Sequence, residues 1–359
     1  LHTGSIDLTT LGWSTELQTA FDRLNDPSLR PARIALETKV VYTALTPAPV
    51  VARVSGRYRH EAHGRDEFPA VGDWVALRPS EGDGDAVIEA LFPRSSAFVR
   101  KVAGFETAAQ IVAANIDITF VVAPIEHQPN LRSIERYLTV AWQSGSVPVV
   151  VLTKSDLAED AAQAVEAVEG IAPGVSVHAV SAFTGDGMQA VGEHIGPGRT
   201  AALLGPSGAG KSTLVNALAG ELVMKVQEVR DYDGKGRHTT THRELIALTG
   251  GGALIDTPGM RELQLWDSDE GLDSTFSDIT ELAASCKFHD CAHDEEPGCA
   301  VKAALATGEL PQERLASYRK QQRELAAIAR KKDKRLASAE TKRWKKVTRE
   351  YKEKTRHRW

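Results

Sequence analysis

Hydrophobic residues in this chain fall into short runs of two kinds. Between Val147 and Ile255 the runs are dense: VPVVVL (Val147 to Leu152), VSVHAV (Val175 to Val180), TAALLG (Thr200 to Gly205), ELIAL (Glu244 to Leu248) and GALI (Gly252 to Ile255). Their length and bounding turn residues predict strands, the TAALLG run a buried one, and Lys211 to Gly220 predicts a helix that follows a glycine-rich turn without a gap. From Arg33 to Val99 the pattern is different. KVVYTAL (Lys39 to Leu45), VVARVSGRY (Val50 to Tyr58), GDWVAL (Gly72 to Leu77) and AVIEAL (Ala86 to Leu91) are β-like runs separated by Pro, Gly and charged turns, which predicts a small antiparallel barrel. A helix over Ser14 to Leu24 precedes it. Near the end Leu315, Tyr318, Leu325 and Ile328 fall on one face of a helix, and after Lys331 apolar spacing is sparse.

Composition adds size and charge to this picture. With 359 residues, 42% of them hydrophobic, the chain can bury more than one core, and it has no apolar run long enough to span a membrane. The expected setting is the cytoplasm. The formal net charge of −5 hides a segregation: residues 314–359 hold 18 Lys or Arg against 5 Asp or Glu, a local net of +13. Such a one-sign excess points to a polyanionic partner, and the interleaved Trp344, Tyr351 and Trp359 suit phosphate contact with base stacking. A membrane-surface helix fits less well, because aromatic and basic positions do not separate into faces. On the barrel, Arg53, Arg57, Tyr58, Arg59 and His60 fit a basic, aromatic-bearing strand face with Arg65 on a following loop; for any one of them a solvated outer face is the alternative.

The chemistry is concentrated in four motifs. In GPSGAGKST, Gly205, Gly208 and Gly210 let the backbone turn, so that N–H groups from Ser207 through Ala209 to Ser212 and Thr213 converge on a phosphate at a helix N-terminus. Lys211 supplies charge to the β- and γ-phosphates, and the Ser212 hydroxyl is the expected Mg²⁺ ligand. In DTPG, Asp256 at a strand end can hold Mg²⁺ through water and Gly259 can offer its N–H to a γ-phosphate. In TKSD, Asp156 can accept two hydrogen bonds from guanine while the Lys154 stem packs over the base. The usual first residue is Asn, and Thr153 lacks its amide. The fourth motif begins at Ser181 and Ala182, where a backbone N–H can meet guanine O6. Taken alone, TKSD would read as a helix cap by Ser155 or Asp156. The order is the informative feature: base-reading motifs precede phosphate-reading ones, the reverse of an ordinary GTPase.

Between the phosphate loop and DTPG, residues 231–245 are polar with no apolar period and read as a switch loop. Thr240 is the candidate second Mg²⁺ ligand. Met260 follows DTPG where many GTPases place a water-orienting Gln, so another group must act, and His238 is the candidate; a solvated loop histidine is the alternative. Past this domain, CKFHDCAHDEEPGC holds the chain's only cysteines. Cys286, Cys291, His293 and Cys299 suit one structural, tetrahedral Zn²⁺, with His289 a competitor for the fourth place. An odd cysteine count does not fit a disulfide framework.

These motifs in this order, with GRHTTT between GPSGAGKS and DTPG, the cysteine segment after them and a barrel-like segment before, resemble the ribosome small-subunit-dependent GTPase A family (RsgA, also called YjeQ). The resemblance covers almost the whole chain. It implies a multidomain α/β fold: an N-terminal OB-fold β-barrel, a circularly permuted P-loop GTPase domain and a C-terminal helical zinc-binding domain. The boundaries expected here are an extension with a short helix over 1–32, the barrel over 33–105, the GTPase over 106–270, the zinc domain over 271–330 and a basic tail over 331–359. The resemblance further implies GTP hydrolysis to GDP, stimulated by the 30S subunit, in late 30S maturation, with His238 assisting hydrolysis. The partners expected are the 30S subunit and 16S rRNA, with no membrane, and the protein is expected to be a monomer. Two other readings remain at this stage: a nucleotide-gated RNA-binding scaffold with incidental hydrolysis, and an ATP-driven nucleic-acid remodeller, which Asp156 disfavours.

Overall fold

The structure, a computed structural model, describes residues 6–38, 41–80, 82, 84–101, 109–223, 243–256, 270–294 and 296–328. It divides into two compact units, Leu1–Gln264 and Leu265–Trp359.

The first unit opens with helix α1 (Thr15–Asp22), capped by the Ser14 hydroxyl, and a five-stranded barrel. Its strands are β1 (Arg30–Glu37), β2 (Tyr42–Leu45), β3 (Pro49–Val54), β4 (Trp74–Arg78) and β5 (Ala86–Leu91). They run in the order β1-β2-β3-β5-β4, and β4 closes back on β1. All neighbours are antiparallel except β3 and β5. Alternate side chains fill the interior, with Ala32, Ile34, Ala44, Ala52, Val75, Leu77 and Ile88 buried together. Arg53, Arg57, Tyr58, Arg59 and His60 do not share the strand face expected of them. Strand β3 stops at Val54, and Ser55 accepts a hydrogen bond from the Tyr58 N–H, starting helix α2 (Gly56–Glu61). Arg57, Tyr58, Arg59 and His60 therefore lie on a helix, because a serine cap ends the strand pattern before the charges begin. Only Arg53 remains on the strand, paired with Asp85.

A two-stranded hairpin, β6 (Ala97–Lys101) with β7 (Ala109–Ala114), leads out of the barrel. The nucleotide-type sheet follows: β8 (Ile118–Pro124), β9 (Val147–Thr153), β10 (Ser176–Val180), β11 (Thr200–Leu204), β12 (Glu244–Ala247) and β13 (Ala253–Asp256). Its order is β10-β9-β8-β11-β13-β12, parallel except for β12. Both faces are buried, which is why these strands read as continuous apolar runs. Phe120, Val122, Val149 and Val151 face one cluster beneath α5 (Met188–Gly192) and α6 (Lys211–Ala219). Val121, Ala123, Val150 and Leu152 face the other, with α3 (Leu131–Gln143) and α4 (Ala161–Glu169).

The segment ahead of α1 and the barrel are joined to the sheet at several points. Thr10 O accepts hydrogen bonds from the N–H groups of Gly198 and Gly252, both 2.8 Å. The wholly buried Arg33 donates to the carbonyls of Leu11, Gly72 (3.2 Å) and Asn115 (2.9 Å) and lies over the Trp74 ring. Burial pulls its pKa down to about 10 against the attraction of Asp117 and Asp73. In addition β1 pairs with β12 at Leu36 and Glu244.

The second unit contains α7 (Glu270–Thr275), α8 (Ser277–Ala284), α9 (Ala300–Thr307) and α10, described over 312–328. Leu315 and Leu325 are buried as their spacing predicts, and Tyr318 meets Phe276 edge-on at 5.4 Å. Arg314 is buried on the same face and makes two 2.9 Å hydrogen bonds to Asp278. Among the described residues no helix is long and apolar enough to cross a membrane.

Candidate functional site

In a parallel sheet with helices on both faces, ligands sit beyond the carboxyl ends of the strands. That edge carries the motifs. The phosphate loop links β11 to α6, TKSD follows β9, Ser181 follows β10, and Asp256 ends β13.

Backbone constraints shape the phosphate loop. A Cβ on Gly205 would lie 2.2 Å from the Val122 carbonyl oxygen, so only glycine lets β11 leave the sheet here. Gly210, at φ 81°, caps α6 in the left-handed region open to glycine. Ala209 is fully buried, whereas Ser207 and Gly208 are exposed, so the loop shows backbone to solvent at its tip. Ser212 and Thr213 stand in the first turn of α6. The Lys211 ammonium arches back over the loop and donates to the carbonyls of Gly205 (2.9 Å) and Pro206 (2.6 Å).

The base-type loop is tied to the phosphate loop through a side chain. Thr153 is buried, and its hydroxyl donates to Ala209 O at 2.7 Å. Thr153 thus lacks the amide that Asn would present but bridges the two loops. Lys154 adopts φ 62°, and its ammonium pairs with Glu126 at 2.7 Å. Asp156 is exposed in the single turn Ser155–Leu157, and the cap of α4 is Asp160, not Ser155 or Asp156. The Ser181 hydroxyl accepts from the Thr184 N–H at 3.1 Å, while the Ser181 N–H donates to Asp186 O at 3.0 Å, leaving Ala182 at the turn. His238, Thr240 and Gly259 lie outside the described residues, as do Met260 and the tail aromatics.

The second site is in the other unit. One ligand atom from each of Cys286, Cys291, His293 and Cys299 falls within 4.8 Å of the others. With Zn–S near 2.3 Å and Zn–N near 2.0 Å, a tetrahedron requires S–S edges of about 3.8 Å and S–N edges of about 3.5 Å. Cys286 Sγ and Cys299 Sγ are 3.9 Å apart, and His293 Nδ1 lies 3.6 and 3.5 Å from them. The donor set fits a tetrahedral thiophilic ion. Cys299 also caps α9, accepting from the Lys302 N–H. Burial pushes the Cys286 thiol up, but hydrogen bonds from the Val301 and Ala300 N–H groups and the neighbouring thiols outweigh it and bring it below its ordinary value. His289 is exposed and stands outside the cluster.

Sequence reasoning missed three supports. Glu126 lies just past the end of β8, and its position at the carboxyl edge of the sheet was the available signal. Arg319 donates to His293 O (2.8 Å) and Asp294 (2.7 Å), and Arg314 anchors α10. Both arginines were counted as tail charge, and nothing in the sequence marks them as structural.

A parallel sheet carrying a phosphate loop and a guanine-type specificity loop at one edge, in inverted chain order, defines a circularly permuted P-loop GTPase. The family model described as RsgA GTPase matches residues 91–266, and one described as 50S ribosome-binding GTPase matches 200–342, beginning at β11. The chain is 49% identical over 321 residues to "Small ribosomal subunit biogenesis GTPase RsgA 1" of Oceanobacillus iheyensis, covering 88% of this chain and 91% of that one. It is 48% identical over 350 residues to "Small ribosomal subunit biogenesis GTPase RsgA" of Opitutus terrae, covering 95% of each. Among solved structures, YjeQ from Thermotoga maritima matches with a TM-score of 0.63 at 27% identity, over 83% of this chain and 99% of that one. YloQ, described as a circularly permuted GTPase, gives 0.60 at 25%, over 83% and 96%. The chain belongs to the RsgA GTPase family.

Proposed function

We propose that this GTPase acts in late maturation of the small ribosomal subunit, hydrolysing GTP in response to that subunit and leaving it afterwards. The observation that carries the reading is the gathering of the phosphate loop, TKSD, Ser181 and Asp256 at one sheet edge. Relatives named for small ribosomal subunit biogenesis, similar over nearly their whole length, support the partner.

In this reading Asp156 accepts the guanine N1–H and exocyclic amine, and the Glu126 ion pair steadies Lys154 so that its stem lies against the base. The N–H of Ala182 meets O6, because the Ser181 N–H already donates to Asp186 O. Backbone N–H groups from Ser207 to Thr213 cradle the phosphates, and Lys211 exchanges its carbonyl partners for phosphate oxygens. Ser212 and Thr240 would hold Mg²⁺, with Asp256 reaching it through water. When bound there, Mg²⁺ would supply positive charge to offset the negative charge that develops on the phosphates during transfer. Gly259 donates to the γ-phosphate, and His238 orients the attacking water. The Cys286, Cys291, His293 and Cys299 cluster holds one structural Zn²⁺. The basic tail and barrel contact 16S rRNA, and the protein acts as a cytoplasmic monomer with the barrel, GTPase, zinc-binding and tail boundaries expected above.

The deciding experiment compares GTP and ATP hydrolysis with and without purified small subunits. Stimulation confined to GTP and the small subunit is expected. GTP turnover indifferent to the subunit would remove the ribosomal assignment, and equal ATP turnover would remove the base assignment.

A further inference from the structure

The barrel and the nucleotide-type sheet share a rung. Leu36, near the end of β1, pairs with Glu244, the first residue of β12, and Glu244 pairs on its other side with Asp256 at the end of β13. Three residues thus stand in line across three strands, running from the barrel to the strand end assigned to Mg²⁺. An ion pair spans the same seam: Arg243 Nη1 lies 3.6 Å from Glu37 Oε2. Both side chains are mostly shielded from water. Burial pushes the Glu37 carboxyl up and the Arg243 guanidinium down, and each charge opposes the other's shift.

A pair held this far from solvent loses hydration that an apolar contact would not, and the best-attested use of such pairs is to fix register. The register fixed here joins two functional ends. Arg243 is three residues beyond Thr240 in the proposed switch segment. Glu37 ends β1 and opens the β1–β2 connection, which in oligonucleotide-binding barrels is one of the loops that meets nucleic acid.

We infer that Glu37 and Arg243 are positioning residues for hydrolysis. The pair clamps the end of the switch segment to the barrel, so RNA seated on the barrel and a γ-phosphate held by the switch bias one junction. The coupling is reciprocal: whatever factor RNA adds to GTP affinity, GTP adds to RNA affinity. This inference rests on the small-subunit reading above. Spatial intermediacy alone does not establish coupling, so the test is a charge-swap cycle.

Two readouts on the full-length chain suffice. The first is GTP turnover with and without small subunits, alongside GDP affinity, for wild type, Glu37→Gln, Glu37→Arg, Arg243→Glu and the double variant Glu37→Arg with Arg243→Glu. Both Glu37 single variants are expected to bind GDP as wild type does while losing about fivefold or more of the stimulation, and the double variant to recover it. Where wild type is stimulated, singles stimulated equally, or a double no better than its worse parent, overturn the clamp. The second readout is amide hydrogen exchange along β1 and residues 38–41, with GDP and with a non-hydrolysable GTP analogue. Exchange that differs between nucleotides in wild type and not in Glu37→Gln supports the clamp. Equal exchange in wild type overturns it. Wild type without stimulation but with nucleotide-dependent exchange removes the small-subunit reading and keeps the clamp.

Discussion

At the scale of single residues, Thr153 shows how a departure from a motif can keep half of its purpose. Its hydroxyl ties TKSD to the phosphate loop through Ala209 O. Thr153→Val removes the donor at constant shape, and one neutral hydrogen bond is worth about 1 kcal/mol. GDP affinity measured by calorimetry is therefore expected to fall about fivefold in Thr153→Val and to hold in Thr153→Ser; equal affinities would mean the tie has no bearing on binding. A second prediction concerns His178 and His194, whose Nε2 atoms are 2.9 Å apart. Burial, then the charges of His178 and Arg199, lower the His194 pKa. The unfolded chain therefore takes up this proton more readily than the folded one, and stability present above an unfolded value near ~6.5 is lost as pH falls below it. The melting temperature should drop between pH 7.5 and 5.5 and drop less in His194→Gln; parallel curves would exclude the pair as a source. Much of the site was legible because its chemistry is local: glycines beside Lys211, Asp156 after an apolar run, cysteines at ligand spacing. Arg319 and the Thr153 bridge were not legible, since each acts on a partner more than twenty residues away, and Glu126 was marked only by its place past the end of β8.

At the scale of elements, the sequence pattern located strands better than it located their ends. Four of the five parallel strands, β9, β10, β11 and β13, were read as apolar runs because both sheet faces are covered, while the fifth, β8 (Ile118–Pro124), was missed. Strand β3 was read too long because VVARV continues smoothly into SGRY until the Ser55 cap is recognised. The cysteine segment is the element expected to depend most on a ligand. Between α8 and α9 the backbone is irregular, and His293 sits at φ 62°, a conformation a non-glycine residue adopts at a cost. Metal binding at such sites is worth on the order of 10 kcal/mol, so it is expected to organise this stretch. Metal analysis should find about one zinc per chain. Chelation should lower the melting temperature and far-UV helicity while GDP affinity stays within about twofold, because the nucleotide residues lie in the other compact unit. A melting curve unchanged by chelation would remove the metal from this role.

For the whole molecule, the inverted motif order was legible and the join of the barrel and the segment ahead of α1 to the sheet was not. Its parts are a one-residue pairing, a buried arginine meeting carbonyls and two bonds to Thr10 O, none of which leaves a pattern along the chain. The charge segregation keeps its direction, but Arg314 and Arg319 are spent inside the second unit, so the cations free for a polyanion begin further along the chain than composition alone suggested. The strand order also bears on how the protein is made. A ribosome delivers the barrel first, then β8, β9 and β10 as a half-sheet, then β11 against the open side of β8. Strand β12 arrives next and can lie on β1, which leaves a gap one strand wide between β11 and β12. Only β13 fills it, and its last residue is Asp256. The strand that welds the two halves into one sheet thus ends in the residue proposed to reach Mg²⁺, so in the order of synthesis the continuous sheet and that part of the proposed site arrive together.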